Sequence, residues 1–388
     1  MTNWDIEYLK LCKETLKKGV EVENRTGVNT IKIPSYNLTF DLSKEFPVLT
    51  TKQLFYKHAI KEMLWFWQMQ SNNVKDLHNI GVHIWDEWMI DDDGIYRIYE
   101  PYGEYDPERE VEVIDPLSVP IDDPFGLTHK FKVKRDEKGN VLKAKGIIEG
   151  KTIKAAKWYG KEYAGTIGTA YGFLIKRYKH TQNLIQAIEM CKTGQNDRRI
   201  VKSLWQDEFL RTAVLPSCVW STEWDVTGDT LNLIIHQRSC DIPLGLPFNV
   251  IQYAVFLAMI AQVTGLKPGK ISYSIKDAHI YVNQVEGIIT QINREKRYNQ
   301  LKKLKEELFR LNAAEPTESD MKEILRQAYR LSSEDELILD VLLNPEKPEL
   351  WLNPEVEDFF DFDSSKDLKD VKIKNYKHMG KITFPIAQ

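Results

Sequence analysis

The stretch LNLIIHQRSCDIPLGLPFNVIQYAVFLAMIAQVTGL, residues 231–266, limits the fold more than any other part of the chain. It opens as a strand, passes through a Pro/Gly loop, and enters a long apolar helix at about Asn249. GKISYSIKDAHIYVNQ (269–284) then returns to strand. Strand and long apolar helix thus alternate within one segment of the chain.

The flanking sequence adds elements of both kinds. Residues 4–19 place Tyr8, Leu9, Leu11, Cys12 and Leu16 at helical spacing, which predicts an N-terminal helix ending near Gly19. NTIKIPSYNLTFDL (29–42) alternates apolar and polar with a break at Pro34-Ser35, as a hairpin or paired edge strands would. LFYKHAIKEMLWFWQMQ (54–70) has no breaker and reads as a long buried helix carrying one carboxylate, Glu62, which needs a reason to be there. From about 89 to 165 the chain turns charged, with short alternating runs and Pro/Gly turns, and reads as an inserted, mostly β elaboration. From about 294 to 346 it is dense in Lys, Glu and Leu and reads as a solvated helical insertion, a partner surface being the other reading.

Composition excludes several classes. The 388 residues, 42% of them hydrophobic, are enough for a substantial core in one large domain or two. With 53 basic and 57 acidic residues the net charge is −4, so no overall basic field points to nucleic acid and any anion recognition must be local. Residues 1–20 mix charges and lack the apolar core of a signal peptide. No window is read as long and apolar enough to cross a bilayer. Cys12, Cys191, Cys218 and Cys240 have no metal-ligand spacing, which suits free thiols in a reducing cytoplasm and predicts no metal site.

Several residues raise chemical questions that local sequence leaves open. Cys218, in LPSCVW, reads by itself as a small buried hydrophobe. Arg25, the pair Arg198-Arg199 and Arg238 could be solvated or structural charges, or could converge on a dianion as a phosphate clamp with Ser239 adding a hydroxyl. Asn249 reads either as a helix N-cap or as an amide that reads a base edge. His279 and Tyr281, two apart on one strand, face the same side and suggest a pocket wall or two satisfied core residues.

Taken together, NRTGVNT, FPVLTTKQL, KEMLWFW, IWDEW, QRSCDIPLGLPFN, DAHIYVN and the tail from PELWLNP to FPIAQ resemble the thymidylate synthase family, which includes the pyrimidine deoxynucleotide hydroxymethylases. The likeness covers roughly 20–88, 165–285 and the tail from about 347, and the two elaborations fall outside it. It implies an α/β (α+β) fold with a large twisted sheet packed against helices and a sheet-mediated homodimer. Residues 1–388 would then form a single catalytic domain with insertions at about 89–165 and 294–346.

The resemblance makes Cys218 the nucleophile, with Glu62 and Tyr171 organising proton transfer. It assigns Arg25, Arg198, Arg199, Arg238 and Ser239 to the phosphate of dUMP, Arg198 and Arg199 reaching the neighbouring subunit's site. Asn249 would hold the pyrimidine, where asparagine rather than aspartate implies uracil, His279 and Tyr281 the deoxyribose, and Gln237 would also bind the substrate. Asp241, Trp85, Trp88, Gly245 and Ala387 would hold the co-substrate 5,10-methylenetetrahydrofolate. No metal, membrane or nucleic-acid partner is implied.

The product turns on the last step, in which the transferred carbon receives either hydride or water. Ser217, Val219, Lys276, Phe55, Gln388 and YGFLIKR (171–177) depart from the synthase pattern around the folate, and on that ground the resemblance favours a dUMP hydroxymethylase of bacteriophage type, in a host cytoplasm. Thymidylate synthase is the alternative, and an inactive regulatory or RNA-binding relative the minor one.

Overall fold

The computed structural model describes residues 1–100, 106, 108–146, 150–194, 197–311, 317–328, 331–344 and 346–386. Its centre is a mixed seven-stranded sheet ordered Val20–Val22, Thr30–Asp41, Lys267–Tyr281, Thr230–Gln237, Val219–Thr227 and Val201–Ser203, with Cys240–Asp241 also paired to Lys267–Tyr281. Thr230–Gln237 and Lys267–Tyr281 are parallel, so their connection must cross over the sheet. The helix Gly245–Val263 makes that crossover, which explains why residues 231–284 read as strand, loop, helix and strand.

One sheet face is covered. In Thr230–Gln237, the residues Leu231, Leu233, Ile235 and Gln237 are buried while Asn232, Ile234 and His236 are half-buried. Gln237 thus ends an apolar row with a buried amide, and that is where the site begins. Gly245–Val263 is buried nearly all round, and Tyr56–Trp67 packs beside it with Trp67 4.6 Å from Phe256 between ring centroids. The helix is long and apolar enough to cross a membrane, contrary to the sequence expectation, but it lies mostly inside this core. The N-terminal helix, Asn3–Lys18, is capped reciprocally by Thr2 and Asp5, and Asp5 goes on to accept the N–H groups of Thr50 and Thr51 at 2.8 and 3.0 Å.

Two other expectations change. Thr30–Asp41 is one unbroken strand rather than a hairpin: Ser35 pairs with Lys276 and Ile33 with Ala278, and only the step between Pro34 and Asp277 is skipped. Proline has no N–H to give there, and Asp277 takes the left-handed conformation (φ 55°), so the defect stays local. The helical stretch starts earlier, at Val285, and continues as Glu318–Ala328 and Ser333–Leu342. It is more than a solvated face, because Leu301, Met321, Leu325, Ile338 and Leu339 close a small core with Met379. Residues 95–158 hold a separate five-stranded sheet over Ile95, Val113, Ala144, Ile153 and Ala156.

Candidate active site

A cavity of about 500 Å³ opens where the buried ends of the sheet meet the helices Tyr56–Trp67 and Gly245–Val263. Cys218, Glu62, Tyr171, Arg25, Gln237, Arg238, Ser239, Asn249, His279, Tyr281, Asp241, Trp85, Trp88 and Gly245 all line it. Arg198 and Arg199 do not: Arg199 is exposed and makes a two-pronged ion pair with Asp197 at 2.9 Å. Ala387 and Gln388 lie outside the described residues.

Cys218 stands just before strand Val219–Thr227, at a β-bulge where Gln237 pairs with Val219 while His236 pairs with Ser221. Such a bulge re-aims the end of a strand. Val219 turns inward and Trp220 outward, leaving Cys218 half-buried at the cavity wall. Its N–H donates to the Tyr171 hydroxyl at 2.8 Å. Arg238 holds the preceding loop, its guanidinium donating to the carbonyls of Ser217 (3.1 Å) and Pro216 (2.5 Å) and standing 3.9 Å from the Cys218 sulfur. This arginine positions the thiol as well as adding positive charge beside it.

A one-way chain of hydrogen bonds crosses the cavity floor. The Tyr273 hydroxyl donates to Gln237 Oε1 (2.5 Å), Gln237 Nε2 to Asn249 Oδ1 (3.3 Å), Asn249 Nδ2 to Gln252 Oε1 (3.0 Å), and Gln252 Nε2 to Glu62 Oε2. The Trp85 indole N–H donates to the other oxygen, Glu62 Oε1, at 2.5 Å. Burial nonetheless outweighs both donors and raises the Glu62 carboxyl to about 7. Glu62 can therefore take up or give a proton near neutrality. Asn249 is not a helix cap, since the helix already begins at Gly245 and Asn249 sits one turn inside it.

The opposite wall is polar. Asp277 accepts from His279 Nδ1 at 2.9 Å and from Lys32 Nζ at 2.5 Å, and hydrogen bonding to His279, with the nearby charges, lowers its carboxyl to about 2. This contact holds the His279 ring by Nδ1 at the cavity wall. Burial lifts the Tyr281 hydroxyl to about 12, keeping it a donor. Asp241 accepts from the Leu244 N–H (3.0 Å) and from Gln284 Nε2 (3.2 Å), and Gln284 also holds the Pro385 carbonyl (3.0 Å). The tail is thereby tied to the cavity, which Ile386 helps to line. Trp85 and Trp88, edge to face at 5.5 Å, make an apolar wall.

Sequence reasoning missed Gln252, Lys32, Asp277 and Phe66, whose ring stacks on Tyr171 at 4.3 Å. One signal was present for Gln252: it lies three residues after Asn249 in an otherwise apolar helix, so the two amides share a face. Of the departures from the synthase pattern, Val219 lines the cavity, whereas Phe55 (stacked on His58), exposed Lys276 and buried Ser217 do not.

A half-buried thiol, a carboxyl that titrates near neutrality, an amide set to read a planar polar edge and two cavity arginines define an enzyme site for covalent chemistry on a small anionic ring compound. The thymidylate synthase family model matches residues 6–329. Over its whole length the chain is 32% identical to thymidylate synthase of Clostridium beijerinckii (387 residues) and 28% identical to that of Bacillus phage phi3T (403 residues), each also covered completely. It superposes on thermostable thymidylate synthase A from Bacillus subtilis with a TM-score of 0.62 at 27% identity, both chains covered in full. The chain belongs to the thymidylate synthase family, one-carbon transferases that act on dUMP with methylenetetrahydrofolate as co-substrate.

Proposed function

We propose that this protein methylates dUMP at carbon 5 and releases thymidylate and dihydrofolate. The covalent step common to both products rests on the Cys218 thiol held by Tyr171 and Arg238 in the same cavity as the Asn249–Gln252–Glu62 chain, and methylation is favoured by full-length similarity to relatives named thymidylate synthase. Cys218 Sγ adds to carbon 6 of the uracil, which makes carbon 5 nucleophilic. Asn249 accepts from the ring N–H and donates to the neighbouring carbonyl oxygen. Glu62 shuttles a proton toward that oxygen through water, and the Tyr171 hydroxyl orients the water that takes the carbon 5 proton. Arg25, Arg238 and Ser239 bind the phosphate, and His279 and Tyr281 take the sugar hydroxyl.

The cavity suits a reduced folate: the Trp85–Trp88 wall offers aromatic faces, and the buried Asp241 carboxylate can accept from ring N–H donors. The folate supplies the one-carbon unit and then the hydride. Gly245 lines the cavity at the start of the helix and adds no side chain there. Ile386 lines the cavity, and hydride transfer requires that such a site be closed to water.

Residues 1–388 act as one catalytic domain, a reading supported by full-length coverage of the relatives. The other sheet face joins two copies, and Arg198 and Arg199 complete the partner's phosphate site, a reading supported by their absence from the lining of their own chain's cavity.

A second reading, hydroxymethylation, rests on Val219, a buried cavity residue where synthases of the family carry histidine. One assay separates the two. Purified protein with dUMP and methylenetetrahydrofolate should yield dihydrofolate, read by absorbance, and thymidylate by mass spectrometry. Tetrahydrofolate with 5-hydroxymethyl-dUMP would instead establish the second reading, and no turnover would remove both.

A further inference from the structure

Outside the cavity, the segment leading to the Trp85–Trp88 wall gathers two imidazoles on one carboxylate. His78 lies in the last turn of helix Val74–Asn79, Gly81 makes the following turn at φ 74°, and Asp86 opens the short helical turn Asp86–Trp88. His78 Nε2 is 2.6 Å from Asp86 Oδ1 and His83 Nδ1 is 3.2 Å from Oδ2. The rings stack with centroids 4.6 Å apart and planes 26° from parallel. One ligand atom from each of the three side chains lies within 4.8 Å of the others, and no second such group occurs among the described residues. Cysteine spacing gave no hint of it.

We propose that His78, His83 and Asp86 bind one divalent transition-metal ion of the zinc class, with water completing the coordination. Two imidazole nitrogens and one carboxylate oxygen are a borderline donor set that suits zinc, cobalt or nickel, whereas magnesium and calcium prefer oxygen alone. Tetrahedral bonds of about 2.0–2.2 Å put ligand atoms roughly 3.3–3.6 Å apart. His83 (64% exposed) and Asp86 (43%) have room to rotate their side chains toward that spacing. The contacts between imidazole and carboxylate give way to metal bonds, and any proton on a ligating nitrogen is released to solvent or moves to the other ring nitrogen. Asp86 directly follows Trp85, whose indole donates to Glu62, so the ion would fasten the wall that holds the carboxyl.

The test uses the full chain, stripped with chelator and titrated with cobalt chloride, then zinc chloride. The expected result is one cobalt per chain, with the weak visible bands of nitrogen and oxygen ligands and no strong near-ultraviolet thiolate band. Zinc should displace it and raise the melting temperature. His78→Ala and His83→Ala should each weaken binding by about tenfold or more while leaving the metal-free melting temperature nearly unchanged. His83→Ala suffices alone if His78→Ala folds poorly, because His83 is exposed. Absence of saturable binding, undiminished binding in His83→Ala, or a thiolate band would overturn the proposal, and none of these readouts depends on turnover.

Discussion

The hydroxyl of Tyr171 accepts the backbone N–H of Cys218 at 2.8 Å while its ring lies flat on Phe66, the planes 10° apart. Forty-seven residues apart in sequence, the two are fixed to each other from both sides. Tyr171→Phe keeps the stacking and strands the Cys218 N–H, which costs about 1–3 kcal/mol of stability. It also removes the hydroxyl assigned to orient water, so kcat should fall by about 10²-fold or more. Denaturant melts and steady-state rates measure the two effects separately, and an unchanged kcat would leave Tyr171 a structural role only.

Glu62 should impose a pH dependence on both activity and stability. Its folded carboxyl sits at about 7, above its ordinary value of 4.5, because burial disfavours the charge. Below pH 4.5 both folded and unfolded forms carry the proton and its stability is fully present; it is lost as pH rises to about 7, where the folded form ionises too. Glu62→Gln should abolish the inflection near pH 7 in kcat and flatten the loss of stability between pH 4.5 and about 7, measured by denaturant melts across that range.

Trp85→Phe tests the same carboxyl from its partner's side. The indole N–H favours the ionised form, so its loss should move the activity inflection above 7. A pH–rate profile with an unmoved midpoint would show that the folate complex, not this hydrogen bond, sets the titration.

Asn249→Asp reverses one link of the chain across the cavity floor. The carboxylate cannot donate to Gln252 Oε1, and it presents an acceptor where uracil offers its carbonyl oxygen. Activity on dUMP should drop by about 10²-fold or more, with turnover of dCMP, whose amino group donates at that place, improved relative to dUMP. Competition between the two nucleotides measures the ratio.

These predictions separate what the sequence made legible from what only folding assembles. The strand–loop–helix–strand run of 231–284 was readable because each period persists over a whole element. Cys218, Asn249, His279 and Tyr281 could be named only through resemblance, since each had a bland local reading. The Trp85–Glu62 and Tyr171–Cys218 bonds left no periodic trace, being single polar atoms joined across 23 and 47 residues. Pro34 misled because one missing N–H inside a strand looks the same in sequence as a turn.

Arg199→Ala and Cys218→Ala should each be nearly inactive alone. If two copies share their sites, mixing them after reversible dissociation restores activity to about a quarter of the wild-type level, because half the mixed dimers' sites are whole. No recovery on mixing would place the arginines with their own subunit.

The central claim is that Cys218 bonds covalently to the nucleotide ring while the folate carbon is transferred. Replacing the carbon 5 hydrogen by fluorine blocks the proton loss that the later steps require, so the adduct should accumulate. Intact-mass spectrometry of the full chain with 5-fluoro-dUMP and methylenetetrahydrofolate tests this most directly. The expected result is a mass increase equal to nucleotide plus folate, mapping to the Cys218 peptide and absent in Cys218→Ala. No adduct, or one on Cys12, Cys191 or Cys240, would contradict it.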